Sequence, residues 1–366
     1  MNIFEENSGK LGTTEVHIRR LQKISTGSYI VSLPSNWVRF NNLNIHDPLL
    51  IINNGKFLII KPANQREVPT HITLNIDSLT SLDVNTLLYV IQMYYLQGVD
   101  NIDIISNTII PAEVKKKIKN LLNVLPNIDI NDLSSNLLQI KINDIHKFND
   151  RSEIIDIFIN IFKFTLKLLE DFRQIFVNNN DVIFMQELIE RSKDLKKRYM
   201  YIIRVLAKMS QVPEYNVLSI REIVIYAEIA RDIFQLVNHI ANAVNYMKES
   251  NINYILNNTY LNNNILNIID ILISMFKDIM NYFNNREVFL IMSIKDKMNK
   301  IRALESDALI MFIDSNQCIA DKDSNKRYDN IRKFINFMYF IRELRRIAGY
   351  CIALMDDISQ LYLSPP

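Results

Sequence analysis

The sequence predicts an α+β, multi-domain chain: a β-rich N-terminal module, a small βαβαβ region, and a long all-α part made of tandem three-helix bundles. Three observations predict it. Near the N-terminus an Asn-Gly dipeptide, Asn54-Gly55, stands between two apolar runs, the pattern of a β-hairpin with a type I′ turn. Between residues 68 and 146 strand-like and helix-like periods alternate. From Arg151 to Ser364 the only interior proline is Pro213 and the only glycine is Gly349, across several long amphipathic stretches, which is the signature of bundles. A chain of 366 residues with 48% hydrophobic content has the length for two or three domains and the apolar surface to fold them.

In the first module (15–63), VHIRRLQKI alternates apolar and polar residues and predicts a strand; TGS is a turn, and YIVSLP is a second strand stopped by Pro34. SNWVRFNNL predicts a short helix, capped by Ser35, with Trp37, Val38 and Phe40 on an apolar side. PLLIINNGKFLIIKP is the hairpin. In the second region (68–146), THITLNI, NIDIIS and LLQIKI read as strands. SLDVNTLLYVIQMYYLQG reads as a helix closed by Gly98 at C′, and PAEVKKKIKNLLNVL as one opened by Pro111. The helical part divides into bundles at 151–250 and 258–362, with Asn-rich joints at 178–180 and 256–264. An internal echo supports the division: ARDIFQLVNHIANAV (230–244) and IRELRRIAGYCIALM (341–355) share an Arg-acidic-apolar start and an apolar phase.

Several function classes are excluded. The six glycines never fall in a GxGxxG or GxxxxGK[ST] spacing, so no Gly-rich loop cradles a phosphate. His17, His46, His71, His146 and His239 are scattered singly, and neither Cys318 nor Cys351 has a neighbouring histidine, so no nucleophile-base set emerges and an enzyme is not expected. Two cysteines fit a reducing, cytoplasmic setting rather than a disulfide framework. No apolar run approaches the ~18 residues of a membrane span, and MNIFEENSGK does not read as a secretory leader. No cofactor is expected.

The formal net charge of +2 is unevenly spread. Residues 15–62 carry six basic residues (Arg19, Arg20, Lys23, Arg39, Lys56, Lys61) against Glu15 and Asp47. Arg19, Arg20 and Lys23 lie on or beside the first strand, and Ser25, Thr26 and Ser28 follow in the turn, a face suited to phosphate contacts. The same charges also suit a solvated edge strand. Some 45 residues with one Trp make a small core, so the module is expected to fold by intertwining with a second copy. The basic run Lys115, Lys116, Lys117 and Lys119 reads as a solvated helix face.

The turn Thr26-Gly27-Ser28, the strand ending in Leu33-Pro34, the helix with Trp37 and the Asn54-Gly55 hairpin together resemble a SpoVT/AbrB-type swapped-hairpin domain. That resemblance implies a homodimer and DNA contacts at Arg20, Lys23 and Arg39. The single arginine on the helix and Pro48 depart from the family's pattern. Segments 185–208, 228–246, 290–312 and 338–357 resemble PhoU-type domains, and the combination resembles archaeal phosphate-uptake regulators. This implies a DNA-binding transcriptional regulator of phosphate homeostasis. The alternative is a PhoU-like protein-interaction regulator of the phosphate ABC transporter, with its ATPase as partner, that never touches DNA.

PhoU domains hold metal clusters with carboxylates spaced i, i+4. The matching positions are Ser192 and Lys196, Phe234 and Asn238, Asp296 and Lys300, and Arg345 and Gly349, of which only Asp296 is a carboxylate. Cations there repel a divalent ion, so no metal cluster is expected, and the same face offers Lys196, Arg345 and Arg346 to an anion. Glu187, Glu190 and Asp194 read as helix-surface ion pairs, and His239 as a partly buried histidine.

Overall fold

The computed structural model describes residues 16–25, 27–53, 58–63, 70–79, 84–143, 150–177, 182–211, 217–249, 255, 258–316 and 324–363. In the N-terminal module, β1 (Gln22–Lys23) pairs antiparallel with β2 (Tyr29–Ile30), and Gly27 turns the chain between them at φ +90°. Both strands are far shorter than the alternating pattern predicts. Residues 16–21 are exposed and are not part of a strand, and a strand exists only where its backbone joins a ladder. Helix α1 (Ser35–Phe40) starts one residue earlier than expected: Pro34 stands at the N-cap and Ser35 is the first helical residue, so Ser35 is not the cap. Trp37 and Val38 are half-buried, but Phe40 is 85% exposed, against its expected place on an apolar side. The hairpin forms as β3 (Leu49–Asn53) against β4 (Leu58–Pro62); Asn54-Gly55 lies outside the described residues.

The second region is βαβαββ rather than βαβαβ. β5 (His71–Asn75) crosses over through α2 (Val84–Leu96) to parallel β6 (Asn101–Ile105). After α3 (Ala112–Lys119) come β7 (Ile128–Ser134) and β8 (Leu137–Ile142), a hairpin that inserts β8 antiparallel beside β6, giving the order β5-β6-β8-β7. β7 was missed because IDINDLS carries too many polar residues: it is the sheet edge, mostly exposed. Gly98, at φ +89°, terminates α2 as expected, with the Val99 N–H donating to Tyr94 O at 3.1 Å. Lys115 and Lys119 pair with Asp132 of that edge, at 2.5 and 3.7 Å, and so hold helix to sheet, while Lys117 pairs with Glu113 one turn back on the same helix.

Six long helices follow among the described residues: α4 (Arg151–Val177), α5 (Val182–Gln211), α6 (Ile220–Glu249), α7 (Thr259–Asn285), α8 (Phe289–Asn316) and α9 (Ser324–Tyr362). None is long and apolar enough to cross a membrane. Of the Asn-rich segment 256–264, the described residues 258–264 are a helix start. Asn258 caps α7 through its side chain on the Leu261 N–H, and the Asn262 amide donates to Phe176 O, one of the last carbonyls of α4.

One continuous apolar core joins both bundles. First helices pack together (α4 with α7), third helices pack together (α6 with α9), and each second helix flanks its own repeat. The echo segments thus face each other. With an offset of 111 positions, His239 corresponds to Tyr350, and these two rings stack at 5.3 Å. Tyr246 stacks on Tyr339, and the corresponding pair, Asp357 and Glu228, interact electrostatically. Reciprocal contacts of this kind define a pseudo-two-fold axis between the repeats.

The sheet domain is fastened to α5 by a buried charge. The Arg204 guanidinium, fully buried, donates to Tyr95 O at 2.8 Å, Val99 O at 2.7 Å and Asp100 Oδ1 at 3.1 Å, and lies over the Tyr95 ring. Lys208 joins it on Asp100 at 2.5 Å, while the other Asp100 oxygen accepts from Thr70. The cation sits at the C-terminal end of α2, where the helix dipole and unpaired carbonyls favour it. A Cβ on Gly98 would stand 2.8 Å from Lys208 Cγ, a second reason for glycine there.

Arg204→Met removes the guanidinium donors from Tyr95 O, Val99 O and Asp100, leaving Asp100 to Lys208 and Thr70 and Tyr95 O to the Gly98 N–H, and unfolding in urea is expected to lose about 3 kcal/mol; a loss below the fitting error would refute the clamp. Asp357, 8% exposed with Oδ2 unpartnered, has its carboxyl pushed up to about 7 by burial and by the charges of Asp232 and Glu228. Its folded pKa stands above its unfolded one, so stability is full at low pH and declines as pH rises from about 4 through about 7. Asp357→Asn is therefore expected to raise stability at pH 8 by about 1–2 kcal/mol and to leave it unchanged at pH 4, read by urea unfolding at both pH values.

Candidate functional site

Two places concentrate the chemistry that the sequence singles out. The first is the N-terminal module. Arg19, Arg20, Lys23, Ser25, Ser28 and Arg39 are all exposed, and Thr26 lies outside the described residues. Lys23 sits on β1 with its ammonium 5.9 Å from the centre of the Tyr29 ring on β2. The turn is closed by the Gly27 N–H on Ile24 O at 2.9 Å and the Ile24 N–H on Ser28 O at 3.0 Å. Arg39 occupies the last turn of α1. Of the described residues from 16 to 63, only Pro62 is buried. Val16, Ile18, Leu21, Phe40, Ile45, Ile51 and Leu58 are all more than half exposed. An apolar set of this size does not face water in a stable monomeric domain.

The second place is a cleft of about 610 Å³ on the seam of the two repeats. Gln235 and His239 of α6 and Arg345, Arg346, Gly349 and Tyr350 of α9 line it, with Met298 of α8 and Ala353 adding apolar surface. Its foundation is Glu343, 3% exposed, whose carboxylate binds across the seam. His239 Nδ1 lies 2.5 Å from Glu343 Oε2, the geometry of an N–H donating to a carboxylate, and Arg346 Nη1 donates to Oε1 at 2.9 Å. Arg345 stands 3.4 Å from Glu305, whose carboxyl burial pushes upward against the pull of Arg345. Cys351, next to Tyr350, is wholly buried with its thiol pushed up by desolvation, and so takes no part in the cleft.

The eight positions matched to PhoU carboxylates have ordinary structural roles or line this cleft. Ser192 is buried and donates to Leu188 O; Phe234 stacks on Tyr199 with centroids 4.5 Å apart; Asn238 is half-buried; Lys196, Asp296 and Lys300 are exposed. Only Arg345 and Gly349 come together, in the cleft. Lys196 does not line it, so the expected anion face is reduced to the two arginines of α9. Glu190 pairs with Lys193 and Asp194 with Lys197, as helix-surface ion pairs. Among the described residues no three His, Cys, Asp or Glu side chains converge as a metal-binding set.

Sequence reasoning missed the Glu343–His239 bond, which links residues 104 apart. The available signal was the echo itself: Asp232 and Glu343 are matching acids on otherwise apolar faces, and both are buried. Asp232 is answered within its own repeat, by Arg231 at 2.9 Å, whereas Glu343 is answered both by Arg346 of its own repeat and by His239 of the other.

No family model and no curated protein matches the chain. Solved structures that resemble it include two PhoU proteins. The crystal structure of the phosphate transport system regulatory protein PhoU from Streptococcus pneumoniae is 17% identical, with 58% of this chain and 94% of that chain covered and a TM-score of 0.44. That of PhoU from Pseudomonas aeruginosa is 11% identical, covers 58% and 96%, and has a TM-score of 0.48.

Proposed function

We propose that this chain is a dimeric regulator of phosphate uptake that works by association with other macromolecules, its helical repeats serving as the protein-docking and sensing body. The observation that carries the reading is the pairing of two three-helix repeats across a pseudo-two-fold seam; tandem three-helix bundles are what the sequence resemblance to PhoU-type domains implies. The surface agrees with a docking role: Ile331, Ile335 and Met338 of α9 and Ile310 and Ile313 of α8 are exposed at helical spacing. The partner class is the ATPase of a phosphate transporter.

A second reading adds DNA. It is favoured by the exposed basic set Arg19, Arg20, Lys23 and Arg39 on a module whose apolar residues are uncovered in one copy. Two copies would cover those residues and present two basic faces side by side. The chain then regulates transcription, with the helical repeats biasing the spacing of the two faces.

Light scattering of the full chain is expected to give a dimer, and Leu21→Lys with Ile51→Lys to shift it toward monomer while the helical content by circular dichroism stays within about a tenth of wild type. An unshifted dimer would place the contact elsewhere. Gel shifts against phosphate-transport promoter fragments and co-purification with the transporter ATPase separate the two readings. Arg20→Ala/Lys23→Ala/Arg39→Ala is expected to abolish any DNA retention and its salt dependence, and to leave ATPase co-purification intact. Retention that survives the triple substitution removes the DNA role of this face.

A further inference from the structure

The cleft between the repeats has the construction of a ligand site rather than of a packing defect, and its chemistry selects the ligand. We propose that it binds a small organic phosphate of mononucleotide size, with the guanidinium groups of Arg345 and Arg346 on the phosphate. The inference extends the regulatory reading by naming the class of its signal; binding itself stands on the cleft alone.

Charge comes first. Arg345 and Arg346 are adjacent on α9, both about half exposed in the cleft, and each spends one terminal nitrogen, Nη1, on a carboxylate. A guanidinium has five N–H donors in a planar fork, so each retains donors for a phosphate oxygen. Arg345 is held only loosely by Glu305, at 3.4 Å against the about 2.7–2.9 Å of a tight charge-assisted bond, and exchanges that partner for a dianion at little expense. Arg346 is held firmly, by a Glu343 carboxylate that is itself 96% buried and shared with His239. The carboxylate therefore fixes two of the groups that line the cleft before a ligand arrives, the pre-organisation that a surface arginine lacks. It also occupies His239 Nδ1, leaving Nε2 as the ring nitrogen not engaged by Glu343.

Size comes next. The cleft is a groove broadly open to solvent, and its volume of about 610 Å³ far exceeds what a bare tetrahedral oxyanion fills. The remainder of the lining suits a flat, partly apolar moiety: the Tyr350 ring, already braced by His239 at 5.3 Å, with Met298 and Ala353 beside it. Gly349 is exposed on the wall of the cleft in the middle of α9, and a Cβ built there meets nothing within 4 Å, so a larger side chain at this position projects into the open space without a backbone clash.

The test is calorimetric titration of the full-length protein with adenosine 5′-monophosphate and, separately, inorganic phosphate. Saturable binding of the nucleotide is expected, tighter than that of phosphate by about tenfold or more. Arg345→Ala, which leaves the Glu343 network intact, and Gly349→Phe, which fills the cleft from an unobstructed position, should each weaken nucleotide binding by about tenfold or more, with melting transitions showing both variants folded. Absence of saturable nucleotide binding to the wild type overturns the proposal, as does binding that neither substitution weakens. Phosphate binding as tightly as the nucleotide overturns the assignment of ligand size. None of these outcomes depends on DNA or on the transporter ATPase, so failure here leaves the association experiments to judge the regulatory reading separately.

Discussion

The seam between α6 and α9 is the constraint from which most of this molecule follows. Each helix offers a wide apolar face, Ile229, Ile233, Leu236, Val237 and Ile240 on one and Ile341, Leu344, Ile347, Ala348 and Cys351 on the other, and all ten are buried. Burying two such faces against each other stabilises by roughly 25 cal/mol per Å² of apolar surface removed from water. Because the two faces share a pattern, they meet across an axis, which brings matching positions into contact. Polar groups on the seam must then be satisfied locally. Glu343 reaches His239 and Arg346, Asp232 reaches Arg231, and Asp357 is left with an unpartnered oxygen and a raised pKa. The cleft lies on this seam, and one of its arginines, Arg346, is oriented by the same carboxylate, while Arg345 leans on Glu305.

A second, smaller constraint joins the sheet domain to this body. Arg204 belongs to the bundle by sequence and to the end of α2 by contact, and with Lys208 it converges on Asp100. A fully buried guanidinium is tolerable only when its donors are met, and here two carbonyls and a carboxylate meet them. The sheet and α5 are thereby coupled, so a change in the helical body that moves α5 acts on the sheet as well. The N-terminal module contrasts with both, since its apolar residues face outward in a single copy.

Much of the architecture was legible before any coordinates. Gly98 announced the end of α2, Pro111 the start of α3, and the scarcity of breakers after Arg151 the long helices. These are local effects of backbone dihedrals and missing donors, so the residue itself carries the signal. Misreadings arose where local rules compete with neighbours. β7 is a polar edge strand, held by its hairpin with β8 rather than by apolar alternation. Ser35 is a good cap by type, but Pro34 takes the position and Ser35 becomes the first helical residue.

By itself the sequence determined most of the element types, the existence of two echoing helical repeats and the one-sided charge of residues 15–62, and it singled out eight positions by resemblance alone. Only the tertiary structure decided which of those positions matter. Ser192 is buried and Phe234 and Asn238 are half-buried against neighbouring helices, whereas Arg345 and Gly349 open onto a cleft beside His239. The reason is geometric: helical periodicity reports which side of a helix is apolar, but not which helix covers it, nor at what height. That pairing, set by the fit of α6 against α9, carries Glu343 to a histidine 104 residues away and turns two ordinary surface arginines into neighbours of a shaped, pre-organised space.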